Sequence, residues 1–80
     1  MAQLEFLGKL SDRFERTVTL DIPKSITTLA HLRPWLNSHY QCDDFSQPTI
    51  RAIIDGAVVA ENHEINNRHV ITFFPPVGGG

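Results

Sequence analysis

The chain has 80 residues, 41% of them apolar and 20% charged, with a formal net charge of -2. That is enough for one domain burying about 60% of its unfolded surface, which leaves little chain for a deep catalytic cleft beside the core. No basic stripe suggests nucleic-acid binding, no apolar run approaches the roughly 20 residues that span a bilayer, and the sole cysteine, Cys42, allows no internal disulfide.

Met1 to Glu5 lacks the basic-then-apolar pattern of a secretory leader, so a reducing, cytoplasmic setting is expected. Gln3 to Leu10 alternates, with Leu4, Phe6, Gly8 and Leu10 on one parity and Glu5, Leu7 and Lys9 on the other. This predicts a strand half buried on one face. Ser11 to Glu15, with Asp12, reads as a turn, and Arg16 to Ile22 alternates again with Val18, Leu20 and Ile22 inward. The two strands suggest a hairpin. Pro23 ends the second strand, and Ser25 is the expected N-cap of a helix. Ile26, Leu29, Ala30, Leu32, Arg33, Leu36 and Tyr40 form its stripe. Pro34 lies inside, which predicts a kink or a two-piece helix, because proline lacks the amide that would bond to the Ala30 carbonyl.

Gln41 to Pro48 is polar and turn-rich, and Thr49 to Ile54 reads as a central strand. Asp55-Gly56 marks a tight turn into a short returning strand at Ala57-Val58-Val59. Asn66-Asn67 predicts another turn, since Asn tolerates positive φ. Val70 to Phe74 is the last strand. A helix between the second and third strands permits a crossover, so the first and last strands can pair in parallel mid-sheet.

Three of the five glycines are the last three residues, Gly78, Gly79 and Gly80, and they follow Pro75-Pro76-Val77. The prolines fix φ and end the ladder. Glycines without Cβ atoms can enter a slot too narrow for any other residue. A stiff root, a slender segment and a terminal carboxylate suit delivery of the chain end into another protein's active site; a frayed terminus is the plain alternative.

Phe73-Phe74-Pro75-Pro76-Val77-Gly78-Gly79-Gly80 resembles the C-terminus of the molybdopterin synthase small subunits. These belong to the ubiquitin-like sulfur carriers (the ThiS/MoaD group), which also include the thiamine-pathway carriers. The resemblance covers nearly the whole chain, with Leu4 to Leu10 matching the first strand, Ser25 to Leu36 the helix and Ile54-Asp55-Gly56 the following turn. It departs where the family commonly has Asp-Gly-Asp before the last strand and this chain has Asn67-Arg68-His69. Either Asn67 takes the positive-φ role or the loop is built differently.

The resemblance implies an α+β, β-grasp domain over residues 1–76, a mixed sheet of about four to five strands under one main helix, and a flexible tail at 77–80. It implies that a ubiquitin-activating-type adenylyltransferase uses ATP to adenylate the Gly80 carboxylate, and that a sulfur donor protein converts it to a thiocarboxylate. The tail then enters the molybdopterin synthase large subunit and gives sulfur to a cyclic pyranopterin. The chain would be no enzyme by itself, would bind no cofactor, and would meet neither nucleic acid nor membrane. Gly80 supplies the reacting group, and Gly78 and Gly79 give access. Alternatives are a sulfur carrier for another pathway, a ubiquitin-like modifier joined to lysines through Gly80, or an interaction domain with an inert tail.

Strand parity adds a docking surface. With Ile71 and Phe73 inward, Thr72 and Phe74 face out, and Leu7 has the outward parity of the first strand. Leu7 and Phe74, with Pro75, Pro76 and Val77, are the candidate partner-binding residues. Cys42 reads as inert. His31, His39, His63 and His69 fit no metal spacing. Asp43-Asp44 and Glu61/Glu64 read as solvated turns rather than paired acids.

Overall fold

The computed structural model describes residues 1–76. Five strands form one mixed sheet: β1 (Ala2–Phe6), β2 (Thr17–Leu20), β3 (Arg51–Ile54), β4 (Ala57–Val58) and β5 (Val70–Phe74), in the order β2-β1-β5-β3-β4. β1 and β5 pair in parallel at the centre, and the other neighbours are antiparallel. Helix α2 (Leu29–Tyr40) is the crossover, and its Leu29, Leu32 and Leu36 share one core with Leu4, Phe6, Ile54, Ile71 and Phe73 of the sheet. This is the expected β-grasp layout.

The first strand is shorter than its alternation predicts. It stops at Phe6, and Gly8 (φ 58) turns the chain into the short helix α1 (Lys9–Arg13) where a strand end and a turn were expected. A straight strand would carry Leu10 about 13 Å beyond Phe6, past the sheet. The helical turn instead folds Leu10 back into the core, where it is 4% exposed.

Thr28, not Ser25, caps α2, with its hydroxyl accepting from the His31 amide at 3.3 Å. Ser25 lies in the preceding turn, closed by the Ile26 amide donating to the Pro23 carbonyl. Carbonyls of Glu61 and His63 accept from the Ala30 and Leu29 amides, so a distant loop satisfies the helix start. α2 also runs unbroken through Pro34 and is not two pieces. Pro34 and Ala30 share the exposed face of the helix, where the carbonyl that lost its amide faces water.

The segment expected to be a polar loop holds a 3-10 turn at Asp44–Ser46, and Phe45 within it is fully buried. Its ring lies 5.2 Å from Phe73 and 5.9 Å from Phe6, in a cluster that Phe14 and Tyr40 extend. Asp55 (φ 54) and Gly56 (φ 81) form the tight turn between β3 and β4 as expected.

Candidate functional site

The sheet face turned away from α2 follows from strand parity. Ile71 and Phe73 are buried, so Val70, Thr72 and Phe74 line the opposite face. The parallel register pairs Phe6 with Phe73, and the Leu7 amide donates to the Phe73 carbonyl at 3.0 Å. The next step along both strands sets Leu7 beside Phe74 on the outer face. Leu7 is 47% exposed, Phe74 and Pro75 are half-buried, and Pro76 is exposed. Four of the expected partner-binding residues are thus brought together. Val77, Gly78, Gly79 and Gly80, the remaining expected site residues, lie outside the described residues.

Sequence reasoning missed the rest of this face. Register places Ile53 beside Thr72, Val58 beside Ile53, and Arg51 beside Phe74. Val58 and Val70 are exposed. Leu7 and Phe74 therefore form an apolar pair beside the point where the chain leaves β5, Ile53 and Val58 continue the outer face toward β4, and Val70 lies at the opposite end of β5, with Thr72, Glu5 and Arg51 among them. The signal was available: once Ala52 and Ile54 point inward, Ile53 must point out. Near its middle the Thr72 hydroxyl donates to Glu5 Oε1 at 3.0 Å, which holds that carboxylate against the sheet.

The chain's exit is fixed at a corner. β5 ends at Phe74, and the Pro75 ring lies over Gly8, where a Cβ would come 3.1 Å from Pro75 Cγ. The Gly8 carbonyl accepts from both the Ser11 amide (3.1 Å) and the Ser11 hydroxyl (2.7 Å). The exposed Leu7, the Gly8 corner and the root of the last segment are consecutive parts of one site.

The loop before β5 is built without a positive φ at Asn67, since Gln41 and Asp55 are the non-glycine residues with positive φ among those described. Asn67 instead works through its side chain, which accepts from the Ile22 amide (2.8 Å) and donates to the Ile22 carbonyl (2.9 Å).

The other candidates fall outside the site. Burial pushes the Cys42 thiol up from its ordinary range, which keeps it protonated and weakly nucleophilic. His39 stacks on Trp35, and His63 and His69 lie 6.3 Å apart between ring centres. Among the described residues no cluster of three or more metal-ligating side chains forms. Asp44, expected in a solvated turn, is 14% exposed at its side chain and pairs with Arg13 at 2.8 Å, while Glu61 stays 55% exposed in its turn and also pairs with Arg33 at 2.7 and 2.9 Å. Arg33 also donates to the Phe45 carbonyl at 2.8 Å, so this buried cation ties the 3-10 turn to α2. No helix among the described residues is long and apolar enough to cross a membrane.

A model of the ThiS family matches residues 4–80. No curated protein matches the chain. Among solved structures, SAMP1 from Haloferax volcanii superposes with a TM-score of 0.75 at 20% identity, over 99% of this chain and 98% of that one. A second H. volcanii structure, small archaeal modifier protein 1, gives 0.73 at 19% identity, over 95% and 97%. A Pyrococcus furiosus chain assigned as molybdopterin converting factor, subunit 1, gives 0.76 at 13% identity, again over 95% and 97%. These likenesses show the shared fold.

Proposed function

The chain belongs to the ThiS family, and from that premise we propose that it is a sulfur carrier acting in molybdopterin synthesis. The carboxylate of Gly80 is a poor electrophile. Its oxygen attacks the α-phosphorus of ATP on an adenylating partner, pyrophosphate leaves, and the acyl-adenylate gains a good leaving group. The outer sulfur of a donor protein's persulfide then displaces AMP at the acyl carbon, and a thiol cleaves the resulting acyl disulfide, leaving the thiocarboxylate and a disulfide on the donor. That group donates its sulfur to a cyclic pyranopterin inside a larger partner subunit. Gly78 and Gly79 give access, and the face formed by Leu7 and Phe74, with Pro75, Pro76 and Val77, docks on the partner. The chain supplies the reagent and its partners supply the pockets.

The observation that carries this reading is the family match running through Gly80, on a fold whose central strand leads straight into Pro75-Pro76. The P. furiosus likeness is in keeping with the molybdopterin pathway, and the H. volcanii likenesses with a modifier. The two fates share the acyl-adenylate and differ in the nucleophile, sulfur or a lysine amine.

The test is intact mass after incubation with ATP, an activating enzyme and a sulfur source. The expected product has one oxygen exchanged for sulfur. Conjugates to lysine would replace the carrier reading with the modifier reading, and an unchanged mass would remove both. Deleting Gly80 should abolish loading while the circular dichroism spectrum stays native.

A further inference from the structure

We propose that Gly8 is a positioning residue for the C-terminal tail: it forms the backbone corner on which Pro75 seats, and so sets the direction in which the tail leaves the sheet. The inference rests on the sulfur-carrier reading above.

The two glycines among the described residues differ. Both have positive φ, 58° at Gly8 and 81° at Gly56. A Cβ on Gly56 would meet nothing within 4 Å, so the tight turn alone requires that residue. A Cβ on Gly8 would meet Pro75 Cγ at 3.1 Å and Cδ at 3.5 Å. Gly8 therefore serves two demands, a backbone conformation open to glycine (φ 58, ψ -133) and the close seating of a ring from the other end of the chain.

The corner is held from both sides. The Leu7 amide bonds to the Phe73 carbonyl at 3.0 Å, joining β1 to β5 immediately before it. Beyond it, Ser11 donates twice to the Gly8 carbonyl, and the Leu10 amide donates to the Leu7 carbonyl at 3.2 Å. Pro75 has no amide and cannot extend the ladder. With hydrogen bonding at an end, the packing of its ring on Gly8 is what orients the chain past Phe74. A tilted root leaves a smaller fraction of free chains aimed for insertion, and the apparent affinity falls by that fraction.

The experiment uses the full chain with its adenylating enzyme and ATP, and follows pyrophosphate release as carrier concentration varies. Gly8→Ala, Pro75→Ala and the double variant are compared with the parent at a temperature where denaturant unfolding shows each to be folded. Each single variant should lower kcat/KM about tenfold, mainly through KM, because the chemistry at Gly80 is untouched. The double variant should lose no more than the worse single one, since both act through one contact. Pro75→Ala should do this while denaturant unfolding shows it fully folded at the assay temperature, so loss of the fold does not account for the drop. Because Pro75 also lies in the proposed docking face, a partner-free readout decides if Gly8→Ala does not fold: in a Cys42→Ser background the distance between spin labels at position 79 and on α2 should shift in Pro75→Ala, and an unchanged distance would overturn the proposal. Parent-like kcat/KM in Pro75→Ala, or penalties that multiply in the double variant, would overturn the proposal. A parent chain that is never adenylated would instead overturn the sulfur-carrier reading, and this inference with it.

Discussion

The Asn67 amide closes a two-bond clasp on the Ile22 backbone, just past the end of β2. It imitates a strand pair where no strand reaches. Replacing it with alanine leaves a partly buried donor and acceptor unpaired, so Asn67→Ala should cost about 2 kcal/mol in urea unfolding. Asn67→Asp should cost at least as much, because it sets a carboxylate oxygen against the Ile22 carbonyl that the amide now serves. Phe74 tests the other kind of residue, one whose value lies in binding. Half-buried beside exposed Leu7, it should act as an anchor. Phe74→Ala is expected to weaken binding to the adenylating partner by more than about 1 kcal/mol in calorimetry while the domain stays folded. Of these two residues, parity exposed Phe74 in advance. The role of Asn67 was hidden, because a side chain reaching 45 positions along the chain leaves no local pattern.

Elements declared themselves in the sequence wherever one period ran through them. β5 was expected over Val70–Phe74 and forms over those residues, and the β3–β4 turn announced itself through Asp55-Gly56. Reading failed where tertiary packing overrode local pattern. The alternation from Gln3 to Leu10 continued past the point where Gly8 breaks the strand. Phe45 sits among Asp43, Asp44, Ser46 and Gln47, a polar setting that suggests a surface loop. The Arg33 bond to its carbonyl, the Asn37 oxygen that accepts from its amide, and the rings of Phe6, Phe14, Phe73 and Tyr40 explain its burial. Pro34 leaves the helix whole because its face meets solvent, which no local pattern in the sequence states. The helix still lacks one bond there. Pro34→Ala should therefore raise stability, by about 2 kcal/mol once the greater freedom of the unfolded chain is set against the restored bond. Thermal unfolding would register it as an increase in Tm.

At the scale of the molecule, two groups give the fold a direction of pH dependence. Burial raises the Cys42 thiol and the Tyr40 phenol above their ordinary values of 9.0 and 10.0, and Glu15 adds to the shift at Tyr40. Both groups are neutral when protonated, so the folded chain binds more protons than the unfolded chain above those values. Stability should then be unaffected by them below pH 9 and should fall as pH rises through 9 and beyond 10. Denaturant midpoints at pH 8 and pH 10 would show the decline, and Cys42→Ser should remove its earlier part. The broad architecture was legible because β-grasp order follows from where one helix interrupts the strands. The outer face was only half legible, since joining Ile53 and Val58 to Leu7 and Phe74 requires knowing which strands are neighbours.

The central place of β5 bears on how the domain withstands load. A partner that draws the last residues into a slot pulls on the chain at Pro75, along the axis of β5. That strand is bonded on both sides, in parallel to β1 and antiparallel to β3, so the tension falls in shear on two ladders at once. An edge strand such as β2 or β4, pulled along its axis in the same way, would set the load on one ladder alone. The sheet order thus makes the strand that carries the tail the one best anchored against being pulled out.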